Sequence, residues 1–286
     1  HLPGTDSIGA VEHGFPIRDL TPIADGVTRC VVEAPRVARH AQPGQFVIVR
    51  VDVGGERIPL TISDLDDEAG TITLVVQAVG ATTSRLASKR PGDAIADVLG
   101  PLGSPTDIRR HGRCVVVAGG VGAAIVLPVA KALAGAGNEV VGVVGARTGT
   151  ALVLVDELAS TCDSLVVCTD DGSRGRHGFV TDALGHLIDE GGTDHVFTVG
   201  PIPMMAAVAE LTRPAGIPTV ASLNPIMVDG TGLCGGCRVK VGEETRFACV
   251  DGPEFDAHLV DFDLRATRNR AYRSFEECRM AEVTDA

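Results

Sequence analysis

Cys234, Cys237 and Cys249 stand at Cys-x2-Cys-x11-Cys spacing within DGTGLCGGCRVKVGEETRFAC. A Cys-x2-Cys pair on a glycine-rich turn lets two thiolates converge on one metal centre, and Gly232, Gly235 and Gly236 let the backbone fold tightly around it. The strand-like pair RVKV and TRFAC would return the third thiolate from a hairpin. One coordination position is then open, and Asp229, five residues before Cys234, is the nearest candidate to fill it. Sulfur-rich sites of four ligands hold zinc or iron–sulfur clusters. With Asp229 in first place the register reads Asp-x4-Cys-x2-Cys…Cys, the plant-type [2Fe–2S] spacing with a carboxylate in place of one thiolate. Spacing and register favour a [2Fe–2S] cluster over structural zinc. Asp229-Gly230 also reads as an ordinary turn pair.

Two stretches upstream have the chemistry of an anionic-cofactor site. In ERIPLTIS, Arg57 offers a guanidinium to a phosphate, Pro59 and Leu60 belong to an extended strand, and Thr61 brings a hydroxyl toward a ring edge. The plain alternative is a strand with a surface arginine. In VGATTSRL, Gly80 precedes Thr82 and Thr83 at what reads as a helix start, where hydroxyls and free N–H groups bind phosphate. The plain alternative there is a simple N-cap. GPLGSP, from Gly100 to Pro105, follows both.

These residues need a frame. From about Gly14 to Pro105, short β-branched runs (RCVVEAP, QFVIVRVD, GTITLVVQAVG) are separated by turns such as Pro43-Gly44 and Gly54-Gly55, which predicts a small antiparallel barrel. From about Asp107 to Ser222 the pattern changes to buried strands alternating with helical stretches. Strands are expected at CVVVAG, VVGVVGA, SLVVCTD, HVFTVG and TVASL, and helices at about Ala123–Ala136, Ala151–Ala159, Phe179–Glu190 and Pro203–Arg213. That alternation predicts a parallel sheet with helices on both faces.

Polar clusters follow the strands of this second part. Gly120 and Gly122 lie in a Gly-Gly-Val-Gly turn between strand and helix, where backbone N–H groups face an anion. The turn is not G-x-G-x-x-G, so it does not by itself define a standard dinucleotide fingerprint. Arg147 follows the second strand, Asp170 and Asp171 the third, and Gly200 and Pro201 the fourth. Ligands in open α/β sheets bind at the carboxyl ends of strands, and a carboxylate there accepts from ribose hydroxyls, which favours NAD over its phosphorylated form. Asp170 and Asp171 also suit a turn.

Composition narrows the class. A chain of 286 residues suggests about two domains. With no Trp and one Tyr, the core must come from Val, Leu, Ile and Ala. A net charge of −12 argues against a nucleic-acid partner. Eight cysteines in a chain of this length suit a reducing compartment better than a disulfide scaffold. The apolar run Cys114 to Ala130 is shorter than a membrane span and broken by glycines, so it reads as strand, turn and helix. No secretion signal with a basic start and apolar centre is seen, and a cytoplasmic protein is expected. Cys30, Cys114 and Cys168 are expected in buried strands, while Cys162 and Cys278 could be exposed.

The order of these parts resembles the ferredoxin–NADP reductase superfamily, with a flavin-binding barrel followed by a nucleotide-binding α/β domain. It is most similar to a branch with a C-terminal [2Fe–2S] segment. That branch contains the electron-transfer subunit of dihydroorotate dehydrogenase and the small subunit of NADH-dependent ferredoxin–NADP oxidoreductase, the sulfide dehydrogenase β-type subunit. PGQFVIVRVD, ERIPLTI, DDGSRGRHGFVTD, SLNPIMVDGTGLCGGCRV and FACVDGPEFDAHLVDFD carry the resemblance. It implies the divisions 1–13 (tail), 14–106 (FAD barrel), 107–222 (NAD(H) domain), 223–262 ([2Fe–2S] segment) and 263–286 (C-terminal helix and partner-docking tail). It implies cluster ligation by Asp229, Cys234, Cys237 and Cys249, where the dihydroorotate branch would use four cysteines. Arg57, Pro59, Leu60 and Thr61 would contact the flavin, with Thr61 near its reactive ring nitrogen, and Gly80, Thr82 and Thr83 would hold its diphosphate. Gly120 and Gly122 would face the NAD(H) phosphates, Arg147, Asp170 and Asp171 the adenosine side, and Gly200 and Pro201 the nicotinamide. After Gly-Gly-Val-Gly the family usually continues Ile-Ala-Pro, and here the chain reads Ala123-Ala124-Ile125.

The resemblance implies electron transfer between NADH, FAD and the cluster, and onward to a larger flavoprotein subunit with its own FAD and [4Fe–4S] clusters. Such a complex can bifurcate electrons between ferredoxin and NADPH. Two rivals stand beside this expectation: the dihydroorotate-type electron-transfer subunit, and a zinc-stabilised nucleotide-binding sensor without redox activity.

Overall fold

The structure is a computed structural model that describes residues 14–271. Its first half is a seven-stranded antiparallel sheet, curled into a near-barrel, in the order β6-β1-β2-β5-β4-β3-β7. The strands are β1 (Phe15–Ala24), β2 (Val27–Glu33), β3 (Phe46–Arg50), β4 (Arg57–Asp66), β5 (Thr71–Gln77), β6 (Ala94–Ile95) and β7 (Asp97–Leu102). Alternation decides which side chains turn inward: β5 buries every second residue, and β2 does so from Thr28 onward. Ile17, Cys30, Val32, Val49, Ile72 and Leu74 fill the interior at 1% exposure or less. Two short helices, α1 (Pro35–Ala38) and α2 (Ala81–Ala87), close its ends.

Strand β4 is shared between neighbours. Its first half pairs with β3 (Phe46 opposite Thr61, Ile48 opposite Pro59), and its second half, from Ile62, pairs with β5 across a register shift. The Arg57–Thr61 stretch thus has no β5 partner and presents a free side.

The second half is a sheet of order β11-β10-β9-β8-β12-β13-β16. Its strands are β8 (Arg113–Gly119), β9 (Glu139–Ala146), β10 (Ser164–Thr169), β11 (Arg176–His177), β12 (His195–Val199) and β13 (Thr219–Ser222), all parallel, with β16 (Glu254–Asp256) antiparallel at one edge. Val115, Val116, Val117, Val140 and Val143 are fully buried, as strands covered on both faces require. Helices α3 (Ala123–Gly135) and α4 (Val155–Thr161) pack on one face, and α5 (Val180–Glu190) and α6 (Ile202–Thr212) on the other. The order reverses between β8 and β12, the topological switch point where such sheets bind ligands.

After β13 the chain runs through 223–237 into a hairpin, β14 (Arg238–Val241) and β15 (Glu244–Phe247). It then returns through β16 to α7 (Phe262–Ala271). One apolar cluster ties these parts together, joining Phe46 and Ile48 of β3, Met205 of α6 and Leu223 to Cys237, Val239 and Cys249.

Most expected elements occur, with a few differences. The helix expected at Ala151–Ala159 begins only at Val155, because Leu152 is extended after the 3-10 turn Gly149–Ala151 and Leu154, at the N-cap, has a left-handed φ of 54°. Cys162, which the sequence left open to exposure, is buried at 8% in the core it shares with α3 and α4. Strand β1, which bears Arg18, Asp19, Pro16 and Pro22, was not expected from its polar and proline content. Cys278 lies outside the described residues. Among the described residues no helix is long and apolar enough to cross a membrane.

Candidate functional site

A groove of about 910 Å³ runs between the two halves of the molecule. One wall is the free side of β4, where Arg57, Pro59, Leu60 and Thr61 line up. A second is the start of α2, where Gly80, Thr82 and Thr83 face the space. The turn before α2 is held shut by Thr83: its Oγ1 accepts the Gly80 N–H at 2.9 Å and donates to the Gly80 carbonyl at 3.0 Å. The first N–H groups of a helix have no partner inside it, so this turn points donors into the groove. Thr82 Oγ1 donates to Glu56 Oε2 at 3.2 Å, which fixes its rotamer. Arg57 is exposed and forms no ion pair among the described residues.

Val121, Ala124 and Ile125 line the same groove, so the turn after β8 opens onto it. Gly120 has φ +56° and nothing within 4 Å of where a Cβ would stand, whereas a Cβ on Gly122 would lie 2.4 Å from the Val199 carbonyl oxygen. Gly122 thus lets the start of α3 sit against the end of β12, and Gly120 gives the turn its left-handed residue. Gly200 and Pro201 continue from β12 across the switch point, beside Met204.

Arg147, Asp170 and Asp171 do not line the groove. They stand further along the same carboxyl edge, after β9 and β10, all exposed. Two loops meet there: Ser173 Oγ accepts the Gly149 N–H at 2.7 Å and donates to Asp171 Oδ1 at 2.6 Å. Those bonds from Ser173 hold the Asp171 carboxyl below its ordinary pKa. Asp171 thus braces its own turn, and Asp170 is the carboxylate whose side chain makes no such bond.

Of the sulfur ligands, Cys237 and Cys249 are buried with their Sγ atoms 3.2 Å apart, while Cys234 is exposed on the loop between Gly232 and Gly236. Gly232 and Gly235 have φ of 80° and 69°, conformations that wind the chain around these thiols. Burial, and then the Cys237 thiol beside it, pushes Cys249 up to about 12. A thiol raised that far stays protonated and is no nucleophile unless a metal ion takes the place of its proton. Asp229 accepts the Thr231 N–H at 2.9 Å through Oδ1 and the Cys234 N–H at 2.8 Å through Oδ2, which lower its pKa. Those two bonds tie its carboxylate to the loop that carries Cys234. Among the described residues no set of three or more His, Cys, Asp or Glu side chains is gathered as for a metal ion. The donor set is nonetheless sulfur-rich, on one loop and one hairpin, and suits a thiolate-bound centre.

Cys30, Cys114 and Cys162 stand apart from this loop as buried thiols. Burial pushes Cys30 up to about 12 and both Cys114 and Cys162 to about 11, which keeps them as unreactive thiols.

The sequence reading missed the groove's third wall, Ser222 to Val228, together with Pro253 and Asn269 of α7. Its signal was present in Asn224-Pro225, an extended break between a buried strand and the cysteine loop.

A flavin-and-nucleotide reductase frame carrying a cysteine-rich segment is what this fold and site define, and the comparisons specify it. Residues 224–261 match the family described as the iron–sulfur cluster binding domain of dihydroorotate dehydrogenase B. The chain is 48% identical to a Thermotoga maritima protein named as a homolog of the dihydroorotate dehydrogenase B (NAD(+)) electron transfer subunit, over 89% of this chain and 90% of that one. It is 37% identical to the electron transfer subunit of dihydroorotate dehydrogenase B (NAD(+)) from Bacillus caldolyticus, over 83% and 94% of the two chains. A chain from a solved structure of NADH-dependent reduced ferredoxin–NADP oxidoreductase, described for its insights into flavin-based electron bifurcation, superposes with a TM-score of 0.91. Identity there is 44%, covering 98% of this chain and 100% of that one. The chain belongs to the superfamily of ferredoxin–NADP reductases and dihydroorotate dehydrogenase electron-transfer subunits.

Proposed function

We infer that this chain is an electron-transfer flavoprotein subunit that passes electrons between NAD(H), FAD and a [2Fe–2S] cluster, and on to a larger flavin and iron–sulfur partner subunit. The observation that carries the reading is the wall Ser222 to Val228, which lines the groove and continues directly into the loop of Asp229 and Cys234. A cofactor in the groove and a metal group on the loop are thereby attached to one short segment, packed by one apolar cluster.

When bound, FAD exchanges a hydride with a nicotinamide and single electrons with an iron–sulfur cluster. The chain's own residues bind and orient. Arg57 neutralises a phosphate, Thr61 offers a hydroxyl to the ring edge, and the start of α2, with Gly80, Thr82 and Thr83, takes the diphosphate. Gly120 and Gly122 let a second dinucleotide approach the backbone at the switch point, and Gly200 and Pro201 shape the space beside it. Asp170 accepts from the adenosine ribose and Arg147 stands beside it. Asp229, Cys234, Cys237 and Cys249 hold the cluster, with the carboxylate in the fourth place. The parts divide as 14–106 for FAD, 107–222 for NAD(H) and 223–262 for the cluster, and 263–286 serves the partner.

Asp229 at the fourth position favours the NADH-dependent ferredoxin–NADP oxidoreductase type over the dihydroorotate type. The test is a pair of variants, Cys237→Ser and Cys249→Ser, purified anaerobically. Flavin reduction by NADH should persist while iron content and electron delivery to a one-electron acceptor fall together. Unchanged iron content and delivery would sink the reading. Dihydroorotate oxidation by the complex this chain copurifies with would move it to the other branch.

A further inference from the structure

Three arginines crowd the back of the cysteine loop. Arg268 of α7 donates from Nη2 to the Gly236 carbonyl at 3.3 Å. Arg265, one turn earlier and 6% exposed, donates to the Asn224 carbonyl at 2.8 Å. Arg238 opens the hairpin, and a Cβ on Gly235 would stand 3.5 Å from its Nη1. With Lys240 they line one hollow of about 120 Å³.

None of the three forms an ion pair among the described residues; the hairpin's ion pairs belong to Arg246, with Glu244 and Asp251. The Arg238 side chain makes no hydrogen bond there either. Burial and the Arg268 charge both act to lower the Arg265 pKa. A buried guanidinium beside like charges is costly unless an anion offsets it. In a chain of net charge −12, cations gathered against one loop with no ion-pair partner among the described residues need a local reason. The loop they back carries Asp229, Cys234, Cys237 and Cys249, whose carboxylate and thiolates would all be anionic once they hold a metal group.

We propose that Arg238, Arg265 and Arg268 are positioning residues that supply the positive counter-charge of this anionic loop and raise the reduction potential of the metal group it holds. The proposal rests on the cluster assignment above. One-electron reduction adds a negative charge, and fixed cations favour the more negative state. Arg265 and Arg268 also fasten the groove wall at Asn224 and the cysteine loop at Gly236 to a single helix, so both keep their relative place.

The test is a mediated redox titration of the full-length protein, followed by electron paramagnetic resonance, with iron content measured on each sample. Arg238→Gln removes a charge and no hydrogen bond. It should shift the one-electron equilibrium about tenfold toward the oxidised form, a fall of 59 mV. That shift should shrink at high salt, because Arg238 is exposed. Arg268→Gln should lower the midpoint similarly and Arg268→Lys should restore it. Unmoved midpoints in Arg238→Gln at normal iron content overturn the proposal, even if Arg268→Gln loses iron through loosened packing. A wild-type chain that cannot be loaded with iron overturns the cluster assignment, and the proposal with it.

Discussion

Replacing Gly122 by alanine tests how the turn between β8 and α3, proposed above to face a dinucleotide, is built. Gly122 has φ −56° and ψ −23°, ordinary helical values, so alanine carries no backbone penalty there. The cost is steric: the new Cβ would stand 2.4 Å from the Val199 oxygen and 3.0 Å from its carbonyl carbon. Comfortable carbon–oxygen contacts begin near ~3.3 Å, so the start of α3 and the end of β12 must part by about 1 Å. Overpacking of this kind costs about 1–3 kcal/mol. A displacement of about 1 Å at a site that aligns two reactants can cost roughly a hundredfold in rate. Gly135→Ala is the control, since nothing lies within 4 Å of its Cβ position and it ends the same helix. It should hold or gain up to about 1 kcal/mol. Urea unfolding gives the stability difference, and anaerobic stopped-flow bleaching of the flavin by NADH gives the rate. Equal midpoints and equal rates for Gly122→Ala and the wild type would refute the close-approach argument.

Thr83→Ala removes the hydroxyl that closes the turn before α2, and should cost about 1 kcal/mol by thermal melting while weakening FAD retention on dialysis; Thr83→Ser should restore both. Glu254, between the two halves of the molecule, gives a pH dependence. Burial raises its carboxyl from 4.5 to about 7, against the Thr106 hydroxyl that donates to it at 2.6 Å. The folded state then holds a proton that the unfolded state releases above 4.5, so this contribution is complete below 4.5 and declines as pH rises through about 7. Urea titrations across that window should show the decline in the wild type and a flatter profile in Glu254→Gln.

The frame was legible because its signals are periodic. Runs such as CVVVAG and VVGVVGA are buried on both faces, and glycines sit where a strand must turn sharply into a helix. The groove's β4 and α2 walls were legible for the same reason: Arg57 to Thr61 and Gly80 to Thr83 are local motifs, and the fold brings them together. Contacts made only by long-range packing were not legible. Asn269 reaches the groove because α7 folds back over the cysteine loop, and Cys162 joins a core whose other members include Cys114 and Leu133, far from it in sequence. Asp171 shows a third limit: Asp-Asp-Gly-Ser suits a ribose acceptor and a turn equally, and only the bonds from Ser173 reveal which carboxylate is occupied.

The central claim is that one chain holds a flavin and an iron–sulfur centre fed by NADH. The direct measurement is metal and flavin analysis of anaerobically purified protein, with a visible spectrum recorded before and after NADH. The account predicts two irons and one FAD per chain, with absorbance that bleaches on NADH addition. A colourless protein holding a single zinc would contradict it.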